Sequence, residues 1–171
     1  CLVNINFVSI EMEFGLNEEQ EMVVETVRSF VENEIYPLEN QIEKSGVVPD
    51  EIGQDIKNKV KKLGFFAPNM PVDVGGGGLD NLTFALLERE LGRVSQGLTI
   101  FWGRPSNILM ACEGVQKEKY LIPAVKGEKY DALAMTEPQA GSDVRGMKCF
   151  ARKDGGDFIV NGTKHFISHA N

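Results

Sequence analysis

The sequence predicts an α+β protein, with an all-α amino-terminal part followed by the beginning of an antiparallel β part. Two observations carry this. As far as Gly127, apolar residues recur at intervals of three and four, the period of an amphipathic helix; beyond it they alternate, the period of a strand. The dipeptide Asn161-Gly162 then gives the strongest short hairpin signal, because a type I′ turn requires positive φ at both central residues. The expected boundaries are a helical domain over residues 12–130, an incomplete antiparallel β domain over residues 131–171, and an upstream extension over residues 1–11.

Asn17 caps the first helix, and Gln20 three residues on completes a capping box. Val23, Val27, Phe30 or Val31, Ile35, Leu38 and Ile42 form its apolar stripe. Pro37 should kink this helix or loosen one backbone bond, and Ser45-Gly46 ends it. Pro49-Asp50 opens a second helix with Ile52, Ile56, Val60 and Leu63 on one face and Gly64 as its stop. Its Lys57, Lys59, Lys61 and Lys62 read as a solvated face, gathered where cations favour the helix dipole. The segment from Phe65 to Leu79 has the composition of a loop. Its glycines, Gly75 to Gly78, invite a phosphate-binding reading and fail it: the G-x-G-x-x-G pattern meets Asp80 or Asn81 at its last position, and no Gly-Lys-Ser/Thr occurs.

Asp80 is expected to cap a third helix carrying Phe84, Leu87 and Leu91 on one face. Leu98 to Ala111 is apolar nearly all round, which predicts a buried helix. Trp102 within it reads as core, with the wall of a ligand cavity as the alternative. A short helix around Gln116 to Leu121 should stop at Pro123. Beyond Gly127, Ala132 to Thr136 reads as a strand, and Met147, Cys149 and Ala151 alternate with Lys148, Phe150 and Arg152. Phe158 to Val160 is expected to pair with Lys164 to Ile167 across the Asn161-Gly162 turn.

A chain of 171 residues can bury roughly two thirds of its unfolded surface, enough for a core. The composition, 42% apolar and 25% charged, is that of an ordinary globular protein. No run approaches the ~20 apolar residues of a membrane span. A formal net charge of -7 argues against nucleic acid or an anionic membrane surface as partner, since both are bound through excess Lys and Arg. Cys1, Cys112 and Cys149 are isolated, so neither a disulfide framework nor a zinc site is indicated, and a reducing cytoplasm is the simplest compartment. His165 and His169 would lie roughly 13 Å apart in an extended strand, too far to share a metal. No Ser or Cys stands beside a credible base, so hydrolase chemistry finds no support.

The stretch Ala134-Met-Thr-Glu-Pro-Gln-Ala-Gly-Ser-Asp143 concentrates the chemical signal. Glu137-Pro138 forces a turn, and Gly141-Ser142 then brings bare amides and a hydroxyl to one point, suited to an anionic or carbonyl-rich ligand. A tight surface turn of no function is the alternative reading. Together with Gln116-Lys-Glu-Lys-Tyr-Leu121 and Asn161-Gly-Thr-Lys164, in this order, the stretch resembles the acyl-CoA dehydrogenases, flavoenzymes that desaturate acyl-CoA thioesters at the α,β bond. Met12-Glu-Phe-Gly-Leu-Asn-Glu-Glu-Gln is also similar to the beginning of many members, which makes Met12 the expected start; residues 1–10 lack the basic start and cleavage site of a secretory signal.

The resemblance implies three domains, helical, β and a carboxyl-terminal helical bundle, of which this chain would hold the first and the beginning of the second and lack the bundle. It implies FAD as cofactor and an acyl-CoA as substrate. Leu133, Met135 and Thr136 would lie along the flavin ring, with the Thr136 hydroxyl and nearby amides stabilising charge on its pyrimidine edge. Gly141 and Ser142 would lie where the FAD pyrophosphate and the pantetheine come close, Ser142 being the expected substrate contact. Phe166, Ile167 and Ser168 would form a second flavin stretch: Phe166 replaces the family's usual tryptophan, keeping the aromatic face without the indole donor, and Ser168 keeps the hydroxyl. Plain strand packing is the alternative for Phe166 and Ile167.

Glu137 and Asp143 read as loop supports, with Arg145 pairing with either or with phosphate. The family's catalytic base is a glutamate of the missing bundle, so no catalytic residue is assigned here and the chain by itself is expected to be inactive. Electron-transfer flavoprotein as acceptor and a homotetrameric or homodimeric assembly are implied by the same analogy. An acyl-CoA oxidase-like flavoenzyme, or a non-catalytic helical and β interaction module, are the alternatives.

Overall fold

The computed structural model describes residues 15–170; the expected start at Met12 lies outside the described residues. The order of elements is helices first and then an antiparallel strand pair, the α+β arrangement that the sequence predicts. The chain forms two compact units. One contains the residues up to Val48 together with Asn81–Thr99, the other Pro49–Asp80 together with the residues from Ile100 onward.

In the first unit, α1 (Glu18–Phe30) starts on the expected capping box. The Asn17 side chain accepts from the Gln20 amide at 2.8 Å, and the Gln20 side chain accepts from the Asn17 amide at 3.1 Å. The long helix does not reach Pro37 as one regular α-helix. It widens into a π-helical turn over Val31–Ile35 and resumes as α2 (Tyr36–Ser45), ended by Gly46 at φ 67. The cause is local: proline lacks the N–H, and its ring crowds the carbonyl four residues back. A wider turn, in which the Tyr36 amide reaches the Val31 carbonyl, makes room for it.

The same device recurs in the second unit. Pro123 was expected to stop a helix; instead a π turn over Lys117–Leu121 precedes it and Pro123 sits in the first turn of a short helix, Ile122–Val125. There the missing amide is one that no helix uses.

α1 packs on the helix Asn81–Leu91, and the interface buries Val23, Val27, Phe30, Leu87 and Leu91. The buried face of Asn81–Leu91 is Thr83, Leu86, Leu87, Glu90 and Leu91, so Phe84 is turned partly away from the position expected of it. The core of this unit contains a charge. The Glu90 side chain, 3% exposed, accepts from Arg28 at 3.0 and 3.1 Å, from Arg89 at 2.9 Å and from Arg93 at 3.3 Å. The Arg28 guanidinium pulls the Glu90 carboxyl down to about 2, against the opposing effect of burial.

In the second unit the helix Asp50–Lys62 packs against the turn Ile100–Trp102, and Ile56, Val60, Met70 and Trp102 are fully buried. Trp102 is core, with Phe65 stacked 6.3 Å away. Leu63, expected on the apolar face, is exposed, and Lys57, expected in solvent, is buried. Lys57 is satisfied there: its ammonium donates to the Gly127 carbonyl and the Tyr130 hydroxyl and lies 5.1 Å from the Tyr130 ring centre. Leu98 to Ala111 is not one helix. After Gln96–Thr99 and the Ile100–Trp102 turn, Gly103 adopts φ 61, Pro105 follows, and only a short turn, Asn107–Ala111, remains.

The loop glycines serve packing. A Cβ on Gly76 would lie 2.2 Å from the Met70 carbonyl oxygen, and one on Gly77 2.9 Å from Pro68 Cα. Their amides close the loop on Pro71 and Ala67.

The β part also departs from expectation. β1 (Phe150–Asp154) pairs with β2 (Asp157–Asn161), so the hairpin turns at Gly155-Gly156 and Asn161 ends a strand opposite Phe150. Gly155 has φ 61, the positive value that a type II′ turn needs at its first central position. Gly162 is used differently: a Cβ there would lie 2.0 Å from Cys149 Sγ. Ala132 to Thr136 lies in no strand of the described residues. Among the described residues, no helix is long and apolar enough to cross a membrane.

Two outcomes follow from this packing. Glu90→Ala should lower the unfolding free energy by about 2 kcal/mol in denaturant titration, below the usual cost of breaking a buried pair because the arginines are partly solvated. The contribution of Glu90 should be complete above its ordinary value of 4.5 and be lost as pH falls toward 2, because a depressed carboxyl stabilises only while ionised. Gly76→Ala should cost about 2 kcal/mol in the same titration, since the Met70 carbonyl must move.

Candidate functional site

The loop singled out by the sequence is built around one carboxylate. Pro138 and Gln139 occupy the centre of a tight turn, closed by the Glu137 amide on the Ala140 carbonyl at 2.9 Å and by the Ala140 amide on the Glu137 carbonyl at 3.1 Å. Proline suits the first central position because its φ is already fixed. The turn directs the Glu137 side chain inward, where it is 2% exposed. There its oxygens accept from the Lys148 amide at 2.6 Å, the Cys149 amide at 3.0 Å, Gln139 Nε2 at 2.6 Å and Lys164 Nζ at 2.8 Å. Lys164, followed by the Lys148 amide, holds this carboxyl well below the usual carboxylate range. The same carboxylate pushes the Cys149 thiol upward, which makes Cys149 a poor nucleophile.

Lys164 also donates to the Met135 carbonyl at 2.9 Å, and the next amide, that of His165, donates to the Thr136 carbonyl at 2.8 Å. The first expected flavin stretch, Leu133, Met135 and Thr136, is thereby held at its Met135 and Thr136 carbonyls by the two residues that precede the second, Phe166, Ile167 and Ser168. Leu133 and Met135 are exposed, and Thr136 and Ile167 are half-buried. Phe166 is 92% exposed at φ 56, with its ring edge-on to His165 at 5.7 Å. A bulky aromatic residue in the left-handed region is strained. Gly141 and Ser142 are both exposed, and a Cβ on Gly141 would meet nothing within 4 Å. The ion-pair partner of Glu137 is Lys164; Glu137 is one of three partners that the sequence suggests for Arg145, beside Asp143 and phosphate. Lys164 stands in a recognised motif, but nothing local to it or to Glu137 indicates that they meet.

Residues 17–128 match the acyl-CoA dehydrogenase N-terminal domain, and residues 132–171 match the middle domain of the same enzymes. The chain belongs to the acyl-CoA dehydrogenase family.

Isovaleryl-CoA dehydrogenase of Bos taurus, a mitochondrial enzyme, is 36% identical over 160 residues, which are 91% of this chain and 37% of that protein. Subunit CarC of the caffeyl-CoA reductase-Etf complex of Acetobacterium woodii is 34% identical over 160 residues, 90% of this chain and 41% of its own. Among solved structures, a glutaryl-CoA dehydrogenase from Mycobacterium smegmatis in complex with FADH2 superposes with a TM-score of 0.69 at 27% identity, covering 89% of this chain and 39% of that one. The chain therefore spans about two fifths of the length of these relatives.

The pH dependence of the loop follows from the depressed Glu137 carboxyl. Hydrogen-exchange protection of the Lys148 and Cys149 amides should hold from neutral pH down past 4.5, the ordinary carboxylate value, and fall only in stronger acid as Glu137 is protonated. In Glu137→Gln the protection of both amides should be weak throughout and independent of pH.

Proposed function

We propose that the chain contributes the amino-terminal share of an FAD-dependent enzyme that desaturates an acyl-CoA thioester at its α,β bond. The observation that carries the reading is the hydrogen bond from the His165 amide to the Thr136 carbonyl, 2.8 Å long, which holds residues 133–136 beside the start of residues 165–168. A flavin ring is flat and apolar on its faces and polar along its pyrimidine edge. The residues here fit it: Leu133, Met135 and Phe166 are exposed apolar side chains, and Thr136 and Ser168 add hydroxyls in the same stretches. A strained aromatic residue left exposed, as Phe166 is, further supports a ligand-facing role, since such backbone strain concentrates at functional positions.

In this reading the Thr136 hydroxyl and nearby amides would stabilise charge on the pyrimidine edge, a donor arrangement set before the reaction begins. Phe166 would cover one face of the ring, and Ser168 would offer its hydroxyl to the hydride-accepting edge. Gly141 leaves room for a pyrophosphate to approach the backbone, and Ser142 would contact both it and the pantetheine of the substrate. FAD, when bound, supplies the acceptor for the hydride lost from the β carbon. No residue of this chain is assigned as the base that removes the α proton. An electron-transfer flavoprotein is the proposed acceptor, supported by the name of the Acetobacterium woodii relative, and a homotetramer or homodimer is the proposed assembly. Isolated cysteines suit a reducing cytoplasm.

The protein produced from its complete reading frame should be yellow and should bleach when an acyl-CoA is added without oxygen. Thr136→Ala should weaken FAD binding about tenfold, the loss of roughly one good hydrogen bond, by fluorescence titration. A folded, colourless protein that takes up no FAD would sink the reading.

A further inference from the structure

We propose that Lys164 is a positioning residue for the cofactor: a clamp that fixes the attitude of Thr136 by holding the residues on either side of it. The inference rests on the flavin reading above and adds to it a residue that touches neither cofactor nor substrate. Its basis is the geometry of one ammonium group. Lys164 Nζ lies 2.9 Å from the Met135 carbonyl oxygen, 2.8 Å from Glu137 Oε1 and 3.5 Å from Met147 Sδ. An ammonium has three donors and no acceptor, and here three acceptors surround it. The residue before Thr136 and the residue after it are thus joined through one atom, while the Thr136 carbonyl is held by the amide of His165. Three consecutive residues of one stretch are fixed by two consecutive residues of the other.

Little else holds Thr136. Of residues 131–170 only Glu137 and Ala140 are buried, so apolar packing does not fix this stretch. Glu137 cannot serve as the clamp alone. Its oxygens also accept from the Lys148 and Cys149 amides and from Gln139, which anchor the carboxylate to the far side of the loop. Lys164 is the member of the network that reaches back across to Met135. Arginine is a poor substitute, because no single guanidinium nitrogen has three donors to meet Met135, Glu137 and Met147 together, and its planar fork is longer than an ammonium.

The test compares the wild-type protein with Lys164→Met and Lys164→Arg. It reads FAD affinity by fluorescence titration, the visible absorption band of the bound flavin, and exchange of the His165 amide without cofactor. Lys164→Met should bind FAD about tenfold more weakly, with a shifted flavin band and lost protection at His165. If Lys164→Met does not fold, Lys164→Arg keeps the charge, and should stay folded yet bind about threefold more weakly. A structural role alone would lower the melting temperature and leave the affinity and spectrum of the folded protein unchanged. Wild-type affinity and spectrum in either folded variant overturn the clamp while leaving the flavin reading intact. Absence of FAD uptake by the wild-type protein overturns both.

Discussion

Glu137 is a carboxylate withdrawn from water in a region that has almost no apolar core. The residues of β1 and β2 are all exposed, and Ala140 is the one apolar residue buried between positions 131 and 170. Hydrophobic burial therefore contributes little to the arrangement of this region. What organises it is the requirement that a buried ionised carboxyl find partners, since without them its burial would be strongly unfavourable. The amides of Lys148 and Cys149, the amide side chain of Gln139 and the ammonium of Lys164 meet that requirement. In doing so they bring together segments 27 residues apart in the chain.

The first unit also contains a buried glutamate, but its role differs because its partners differ. Among the described residues, the partners of the Glu90 carboxylate are side chains: Arg28 from the facing helix, and Arg89 and Arg93 from its own part of the chain. Long arginine side chains joining two helices hold their packing without constraining any loop. Glu137 is bound in part by backbone amides, so it fixes backbone conformation directly, and it does so one residue away from Thr136. One is a fastener of helices, the other of the backbone on either side of Thr136.

Glycine and proline account for much of the remaining architecture, through what they lack. Gly76, Gly77 and Gly162 stand where a Cβ would collide with a neighbouring carbonyl, backbone or thiol. A run of glycines that resembles a phosphate loop is here a place where two strands of backbone come closer than other residues allow. Pro37 and Pro123 lack an amide N–H, and each is preceded by a widened π turn that makes room for the ring without ending the helical path.

The amino-acid sequence alone determined features that depend on neighbours within a few positions: the Asn17 to Gln20 capping box, the left-handed stop at Gly46, the tight turn at Glu137-Pro138 and the change from helix to strand period. Its motifs, read in order, also determined the family. Tertiary structure decided whatever depends on a distant partner. Asn161-Gly162 and Gly155-Gly156 are both competent local turns, and only the pairing of Phe150 with Asn161 selects the second. Lys57 follows a pattern that predicts solvent exposure, and it is buried because the Gly127 carbonyl and Tyr130 hydroxyl receive it. Lys164 and Glu137 carry no local mark of their meeting. A charge is satisfied by whichever opposite group the fold brings within reach, and that choice is made by the path of the chain.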